Sequence, residues 1–557
     1  MFLRKMSSQP WHWLLLGLIM LVAFTLRIWG LGYGLPYIYH VDEHYYVNTA
    51  LKLGTGLINN PPYAPTGLSN LLFGEYAGYY LVGKLSGIFA SAQEFEAAFR
   101  RDPSVFYLFG RFTSALLSTA TCMALYLLGK STYNSITGLV AAGFLAVSFI
   151  HVRDSHYSVP DASMTFFVTL TVMLTFVAMR TDRRWYIYLG AISAGLAVAM
   201  KWSCLPIVLL IGWASLWVGT DTHKNIIARL LNWSVGLTIL FFVLGLAVGA
   251  GQMLINPAPY IREAMMLGEA GRDGGFSIWQ VDTLPGWLFY GKTLLIGVGP
   301  ILLILGIIGL LRRLVMSFKA GGRLSILLWL FPLIYFLIMS STRNYFARYS
   351  LPLVPFVALF AAETLTSVVT WTLVNRQRKL GWALAILLSV GAITGPLIKS
   401  IQHDILLTHQ DTRTLATQWI DAHIPAQAKI VVDWPTFSPP LSTAEKVLPG
   451  SHKVYDVMVV GNSGLSKHSL AWYREQGYDY LISSSFISNL TMVSKEWNAE
   501  RRSFYSSLDQ NLNPIQEFWP FQSQLEPPFI FDEIYGPMTS ISQRERPGPV
   551  IRIYKLH

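Results

Sequence analysis

The run WHWLLLGLIMLVAFTLRIWG, residues 11–30, decides the class of this chain. Among Asp, Glu, Lys and Arg it holds Arg27 alone, and it has the roughly 20 residues a helix needs to cross a hydrocarbon core. Shortly after it comes HVDEHYY, residues 40–46, where Asp42 and Glu43 stand between His40, His44, Tyr45 and Tyr46. Two adjacent carboxylates beside a lipid interface are costly, so they read as a functional site.

Apolar runs of similar length recur along the chain. Candidate spans are residues 11–30, 105–128, 136–150, 162–179, 185–200, 204–218, 231–251, 293–311, 324–339, 351–373 and 382–398, about eleven in all. The composition agrees: 53% hydrophobic and 13% charged residues, with a mean hydropathy of +0.42, exclude a soluble enzyme of 557 residues. A formal charge of +11 raises the question of nucleic acid. No basic stripe interleaved with aromatics is present, so no nucleic-acid partner is expected. Cys122 and Cys204 lie inside apolar runs and read as packing residues. Residues 1–10, with Arg4 and Lys5, resemble the basic flank of a signal peptide, but no small-residue cleavage pattern follows and the first run reads as a retained span.

The positive charge sits in alternate short loops: Arg4 and Lys5; Lys130; Arg180, Arg183 and Arg184; Lys224 and Arg229; Arg312, Arg313, Lys319 and Arg323; Arg376, Arg378 and Lys379. Basic residues favour the cytoplasmic side, so these loops are expected inside, with the N-terminus. The loops 31–104 and 252–292, the turns at 151–161, Lys201 and 340–349, and everything from Lys399 onward are then extracytoplasmic. Composition turns soluble-like at Lys399. An amphipathic helix is predicted from Asp411 to His423, and strands at 429–432, 480–482 and 550–554. The expected architecture is an all-α polytopic membrane bundle over residues 1–398, plus a small α/β extracytoplasmic domain over 399–557.

Charged groups cluster on that outer side. Asp42 can cap a short helix running to Leu51. His40 and His44, four apart beside two carboxylates, leave a divalent metal open, although no further ligand stands at a persuasive spacing. The turn HVRDSHYSVPD, residues 151–161, brings Arg153, Asp154, His156 and Asp161. Lys201, Lys292, Arg343 and Arg348 are cations running against the charge bias of outward loops. The alternatives are plain ones: helix caps for Asp42 and Asp161, snorkelling or local pairing for the cations. Acids and bases sharing one membrane face suit a lipid-linked phosphate, gripped by the cations while a carboxylate moves a proton. The glycine-rich segment 262–279 reads as a flexible connector or as a flap over the site.

Taken together, Asp42-Glu43 after one span, Arg153 to Asp161 ahead of a span with Phe166-Phe167, and RYSLPLVP at 348–355 resemble a known family. It is the protein O-mannosyltransferase and aminoarabinose-transferase superfamily of polyprenyl-phosphate-sugar-dependent membrane enzymes, with the C-type glycosyltransferase fold. The segment from Asp411-Thr412-Arg413 through Ile424-Pro425 resembles bacterial members. The likeness covers about the first 400 residues. It departs from the aminoarabinose branch in the loop after the acid pair. It departs from eukaryotic mannosyltransferases in lacking room within 252–292 for a folded module.

The resemblance implies an inverting transfer from a polyprenyl-phosphate sugar to an acceptor hydroxyl on protein, lipid or glycan at the outer leaflet, with membrane lipids around it and no cofactor. Asp42 would be the general base, Glu43 would orient the acceptor or support Asp42, and Asp161 would line the same cavity. Lys201, Arg348 and Lys292 would neutralise the donor phosphate, with Arg343, Arg153, His44, Tyr45 and His156 as further substrate contacts. A transporter or flippase of lipid-linked saccharides is the alternative. Such proteins usually show internal repeats, and no clear repeat is visible.

Overall fold

Every one of the eleven apolar runs folds as helix. A computed structural model describes residues 11–56, 65–219, 225–273, 284–319, 322–375, 377–461, 464–493 and 499–557. In chain order the helices are α1 (Trp11–Ile28), α2 (Glu43–Leu53), α3 (Gly67–Leu85), α4 (Ala92–Arg101), α5 (Ser104–Thr132), α6 (Ser135–Val147), α7 (Phe149–Arg153), α8 (Pro160–Thr181) and α9 (Arg184–Met200). Then follow α10 (Ile207–Ser215), α11 (Ile226–Leu230), α12 (Trp233–Ile255), α13 (Pro257–Asp273), α14 (Gly286–Val298), α15 (Pro300–Ser317), α16 (Arg323–Ser341), α17 (Val354–Val374), α18 (Arg378–Thr408) and α19 (Thr412–His423).

Among the described residues eight helices are long and apolar enough to cross a membrane, and nine if α6 and its bent continuation count as one span. This is a multi-pass membrane protein. The count falls below the expected eleven for physical reasons. The run at 136–150 bends by 62° at Ser148. The runs at 185–200 and 204–218 make helices of only 17 and 9 residues. The run at 293–311 is broken by Gly299 at φ +85° before Pro300 restarts the helix, a backbone region that glycine enters without penalty. Close helix contact comes from small residues. A Cβ on Gly195 of α9 would collide with the Phe242 carbonyl of α12, and one on Gly245 with the Ile192 carbonyl.

After α18 the chain builds a five-stranded sheet from β1 (Lys429–Val432), β2 (Asp456–Val459), β3 (Tyr480–Ser484), β4 (Pro514–Phe518) and β5 (Ile551–Lys555). Its order is β2-β1-β3-β5-β4. The β2-β1-β3 part is parallel, and β5 runs antiparallel to both β3 and β4. The predicted strands at 429–432, 480–482 and 550–554 correspond to β1, β3 and β5, the buried ones. Strands β2 and β4 lie at the edges, half-exposed, and lack the apolar run that marks a core strand. Helix α19 begins with Asp411 as its cap, accepting from Arg413 N at 2.9 Å. The loop after β1, carrying Trp434 and Phe437, and residues Ile534–Tyr535 of the β4–β5 connection face a cavity at one end of the bundle.

Candidate active site

The cavity has a volume of about 500 Å³ and is walled by the segment around Asp42, by Pro160 at the α8 start, by the turn holding Lys201, by helix α13, by residues between Met339 and Tyr349, and by Trp434, Phe437, Ile534 and Tyr535 of the C-terminal region. Asp42 occupies the cap position of α2 but makes no cap hydrogen bond. Its carboxylate turns instead to Arg348, with Oδ2 2.8 Å from Nη2. Asp161, in the first turn of α8, receives Lys201 Nζ at 2.7 Å and lies 3.8 Å from Arg348 Nε. Asp42, Arg348, Asp161 and Lys201 thus form one alternating chain of charge. Asp42 and Asp161 are almost wholly buried, and Lys201 keeps one-fifth of its side chain exposed.

Aromatic rings hold the cations. Arg348 lies 4.1 Å from the Tyr535 ring and 4.7 Å from the Phe346 ring, and Lys201 Nζ lies 4.0 Å from the Tyr349 ring. Such contacts stabilise a guanidinium or ammonium without neutralising it. The buried Arg348 Nη1 and Trp202 Nε1 have no hydrogen-bond partner among the described residues. A buried N–H left without an acceptor costs about 1–3 kcal/mol. The arrangement is therefore suited to receive an anion with several oxygens.

The other expected site residues, Tyr45 excepted, lie off the cavity wall. Tyr45 lines the cavity. Glu43 does not: Arg111 of α5 grips it with two bonds, at 2.8 and 2.7 Å, and Ser158 N donates to it at 2.8 Å. Since Arg111 Nη1 also donates to the Leu31 and Tyr33 carbonyls, Glu43 positions the loop that carries Asp42. Arg153 is fully buried between Asp154 and Asp532, 2.9 and 2.8 Å away. His156 is buried away from the cavity, with Nδ1 2.9 Å from the Val152 carbonyl and Nε2 3.1 Å from that of Trp29. Lys292 and Arg343 are exposed and outside the cavity wall. His44 faces a separate groove of about 1120 Å³ between the 36–48 segment and the sheet. His40 stacks on Tyr157 at 4.4 Å. Burial first, then the Arg348 guanidinium, push it well below the usual imidazole range. Among the described residues His40 and His44 do not join a carboxylate in a metal-ligand set. Of the glycine-rich segment 262–279, residues to Asp273 are helical and Ala264, Leu267, Gly268 and Gly271 wall the cavity; 274–279 lie outside the described residues.

Sequence reasoning missed Asp532, which accepts from Ala347 N at 2.8 Å while it pairs with Arg153. Tyr535 and Trp434 were missed too, because they come from a segment with no catalytic pattern. Arg111 carried a legible signal, a charge within the apolar run 105–128.

A model of the family described as dolichyl-phosphate-mannose-protein mannosyltransferase matches residues 77–252. That match contains Asp161 and Lys201 but neither Asp42 nor Arg348. Among solved structures, the apo oligosaccharyltransferase of Archaeoglobus fulgidus superposes with a TM-score of 0.56, at 12% identity, over 98% of this chain and 89% of that one. The chain has the C-type glycosyltransferase fold. The archaeal oligosaccharyltransferase AglB from Archaeoglobus fulgidus, in complex with an inhibitory peptide and a dolichol-phosphate, gives a TM-score of 0.54 at 12% identity, over 98% of this chain and 88% of that one. An uncharacterized protein of Aquifex aeolicus is 33% identical over 92 residues, 16% of this chain; the chain covers 18% of that protein's length. Within the C-type fold, the cavity with its charged chain lies where the first loop, the α8 start and the segment before α17 converge.

Proposed function

We propose that this protein transfers a glycosyl group from a polyprenyl-phosphate-linked sugar to an acceptor hydroxyl, with inversion, at the extracytoplasmic face of the membrane. The observation that carries the reading is the convergence of Asp42, Lys201 and Arg348 on one cavity, with Asp161 behind the two cations and a buried guanidinium N–H still lacking an acceptor. The matched mannosyltransferase model and the dolichol-phosphate complex of a protein with this fold support it.

The chemistry follows from the charges. A phosphate leaving group departs with its negative charge, so it needs fixed cations and no proton. Arg348 and Lys201 supply them. The acceptor hydroxyl is a weak nucleophile, and Asp42 removes its proton as the new glycosidic bond forms, an effect worth about 10²–10⁴ in rate. Attack from the face opposite the leaving phosphate inverts the anomeric carbon. Asp161 holds Lys201 and keeps the two cations from repelling each other.

The test is a reconstituted assay with polyprenyl-phosphate mannose and other polyprenyl-phosphate sugars, reading transfer to acceptor and release of lipid phosphate. Asp42→Asn is expected to lower turnover about 10²-fold or more, with unchanged folding and membrane insertion. Retention of more than about a tenth of wild-type turnover rejects Asp42 as the base.

A further inference from the structure

Away from the reaction cavity, His156, His403 and Asp404 bring one ligand atom each to within 4.8 Å of one another, and all three are buried. They come from different elements: His156 from the turn between α7 and α8, the other two from the last turns of α18. None lines the reaction cavity. The proposed glycosyl transfer has no use for them.

As a purely hydrogen-bonded cluster this group is poorly satisfied. Asp404 Oδ2 and His403 Nε2 are buried without a partner. The carboxylate has no Lys or Arg within ion-pair distance among the described residues; its partners are the two imidazoles, each 3.4 Å away. The nearby guanidinium of Arg27 is engaged by Ser118 Oγ, the Ala23 and Ala146 carbonyls and His151 Nδ1. Its charge reaches the carboxylate only from beyond ion-pair distance, and a buried carboxylate without a contact ion pair costs several kcal/mol.

His156 shows what is missing. Its Nδ1 sits 2.9 Å from the Val152 carbonyl, an acceptor, so Nδ1 carries the proton. In the neutral ring Nε2 is then a lone pair, yet it faces two more acceptors, the Trp29 carbonyl at 3.1 Å and Asp404 Oδ1 at 3.4 Å. Lone pairs converging on one point repel unless a proton or a metal cation lies between them. An Nδ1–H bonded to a backbone carbonyl with Nε2 pointing inward is the usual orientation of a metal-binding histidine. The spacing agrees: bonds of 2.0–2.2 Å to a tetrahedral ion put ligand atoms about 3.3–3.6 Å apart, and both imidazole-to-carboxylate separations are 3.4 Å.

We propose that His156 Nε2, His403 Nδ1 and Asp404 bind one divalent ion of the zinc class, with the Trp29 carbonyl oxygen as the fourth ligand. Two imidazoles and a carboxylate suit zinc better than calcium or magnesium, which prefer all-oxygen shells. The site is closed, so its role is structural. It pins the end of α1, the turn that leads to Asp161, and the end of α18 to one another, just where Gly30 lets the chain pass close to the Asp404 carbonyl.

The test is the metal content of the full-length protein purified in detergent without chelator and dialysed against metal-free buffer. About one zinc per chain is expected in wild type and in Asp42→Asn, and near-complete loss in His403→Ala. Zinc absent from wild type, retained by His403→Ala, or lost from Asp42→Asn overturns the proposal. Should His403→Ala fail to fold, His403→Cys loaded with Co²⁺ replaces it. A thiolate-to-cobalt charge-transfer band that wild type lacks supports the site, and its absence overturns it.

Discussion

Arg348 Nη2 lies 2.8 Å from Asp42 Oδ2, so the cation proposed to take the donor phosphate is held by the carboxylate proposed to act as base. Phosphate and Asp42 compete for one guanidinium. Arrival of the donor is therefore expected to loosen the hold of Arg348 on Asp42.

Two substitutions separate these roles. Asp42→Asn removes the competitor, so binding of polyprenyl phosphate is expected to be as tight as in wild type or tighter, even though transfer is lost. Arg348→Gln removes a charge-assisted bond worth about 1.5–3 kcal/mol, and binding is expected to weaken about 10–100-fold. Titration of the purified variants with polyprenyl phosphate in nanodiscs reads both. Weaker binding by Asp42→Asn than by wild type would falsify the competition.

Glu43 and Arg111 form a fully buried pair with both oxygens and two nitrogens engaged. Removing one partner leaves the other charge uncompensated, a loss of about 3–5 kcal/mol. Glu43→Gln is expected to lower the thermal unfolding midpoint strongly, and Glu43→Gln with Arg111→Met to recover part of it. A double variant no more stable than the single one contradicts the pairing argument.

Asp532 joins the C-terminal segment to the cavity, by Arg153 on one side and the Ala347 amide on the other. Asp532→Asn keeps the acceptor for Ala347 but loses the ion pair. Because Ala347 precedes Arg348, its expected effect is a raised KM for the lipid donor with a smaller change in kcat. Steady-state kinetics with the donor varied distinguishes this from a general loss of active protein, which lowers kcat alone.

In the sheet region, burial raises Asp433 to about 7, against hydrogen bonds from Ser484 N, Leu465 N and Tyr505 that pull it down. The folded state thus binds a proton that the unfolded chain releases near pH 4. Folded-state proton binding exceeds that of the unfolded state between about pH 4 and 7, so this group lowers stability as pH rises through that window. Asp433→Asn is expected to flatten that slope. Unfolding midpoints of both proteins at pH 4.5 to 7.5 check it, and parallel curves count against it.

From the charge pattern of the loops, the sheet is expected outside and the basic loops inside. Cys122 and Cys204 are both buried, so they give little background to surface labelling. Gln93→Cys and Glu475→Cys are expected to react with a membrane-impermeant maleimide on intact cells, and Asn375→Cys only after lysis. The reverse pattern inverts the topology and removes the extracytoplasmic assignment.

Length and apolarity of runs are local properties, which is why the membrane class, the helices and the central strands β1, β3 and β5 could be read directly from residue order. Asp42, Asp161, Lys201 and Arg348 were equally visible, because a charge beside an apolar run is expensive wherever the rest of the chain lies. Helix number was less legible, since a bend at Ser148 or a break at Gly299 depends on what packs around it.

Tertiary structure alone decided which charges meet. Glu43 adjoins Asp42 in sequence, yet helical geometry turns neighbouring side chains to different faces, so one reaches Arg348 and the other Arg111. Arg153 and His156 looked like substrate contacts but are buried in joints with Asp532 and Asp404. Those partners lie far along the chain, beyond the reach of any local pattern. Chain order determined which groups were too costly to be accidental; only folding determined the partner that offsets each cost.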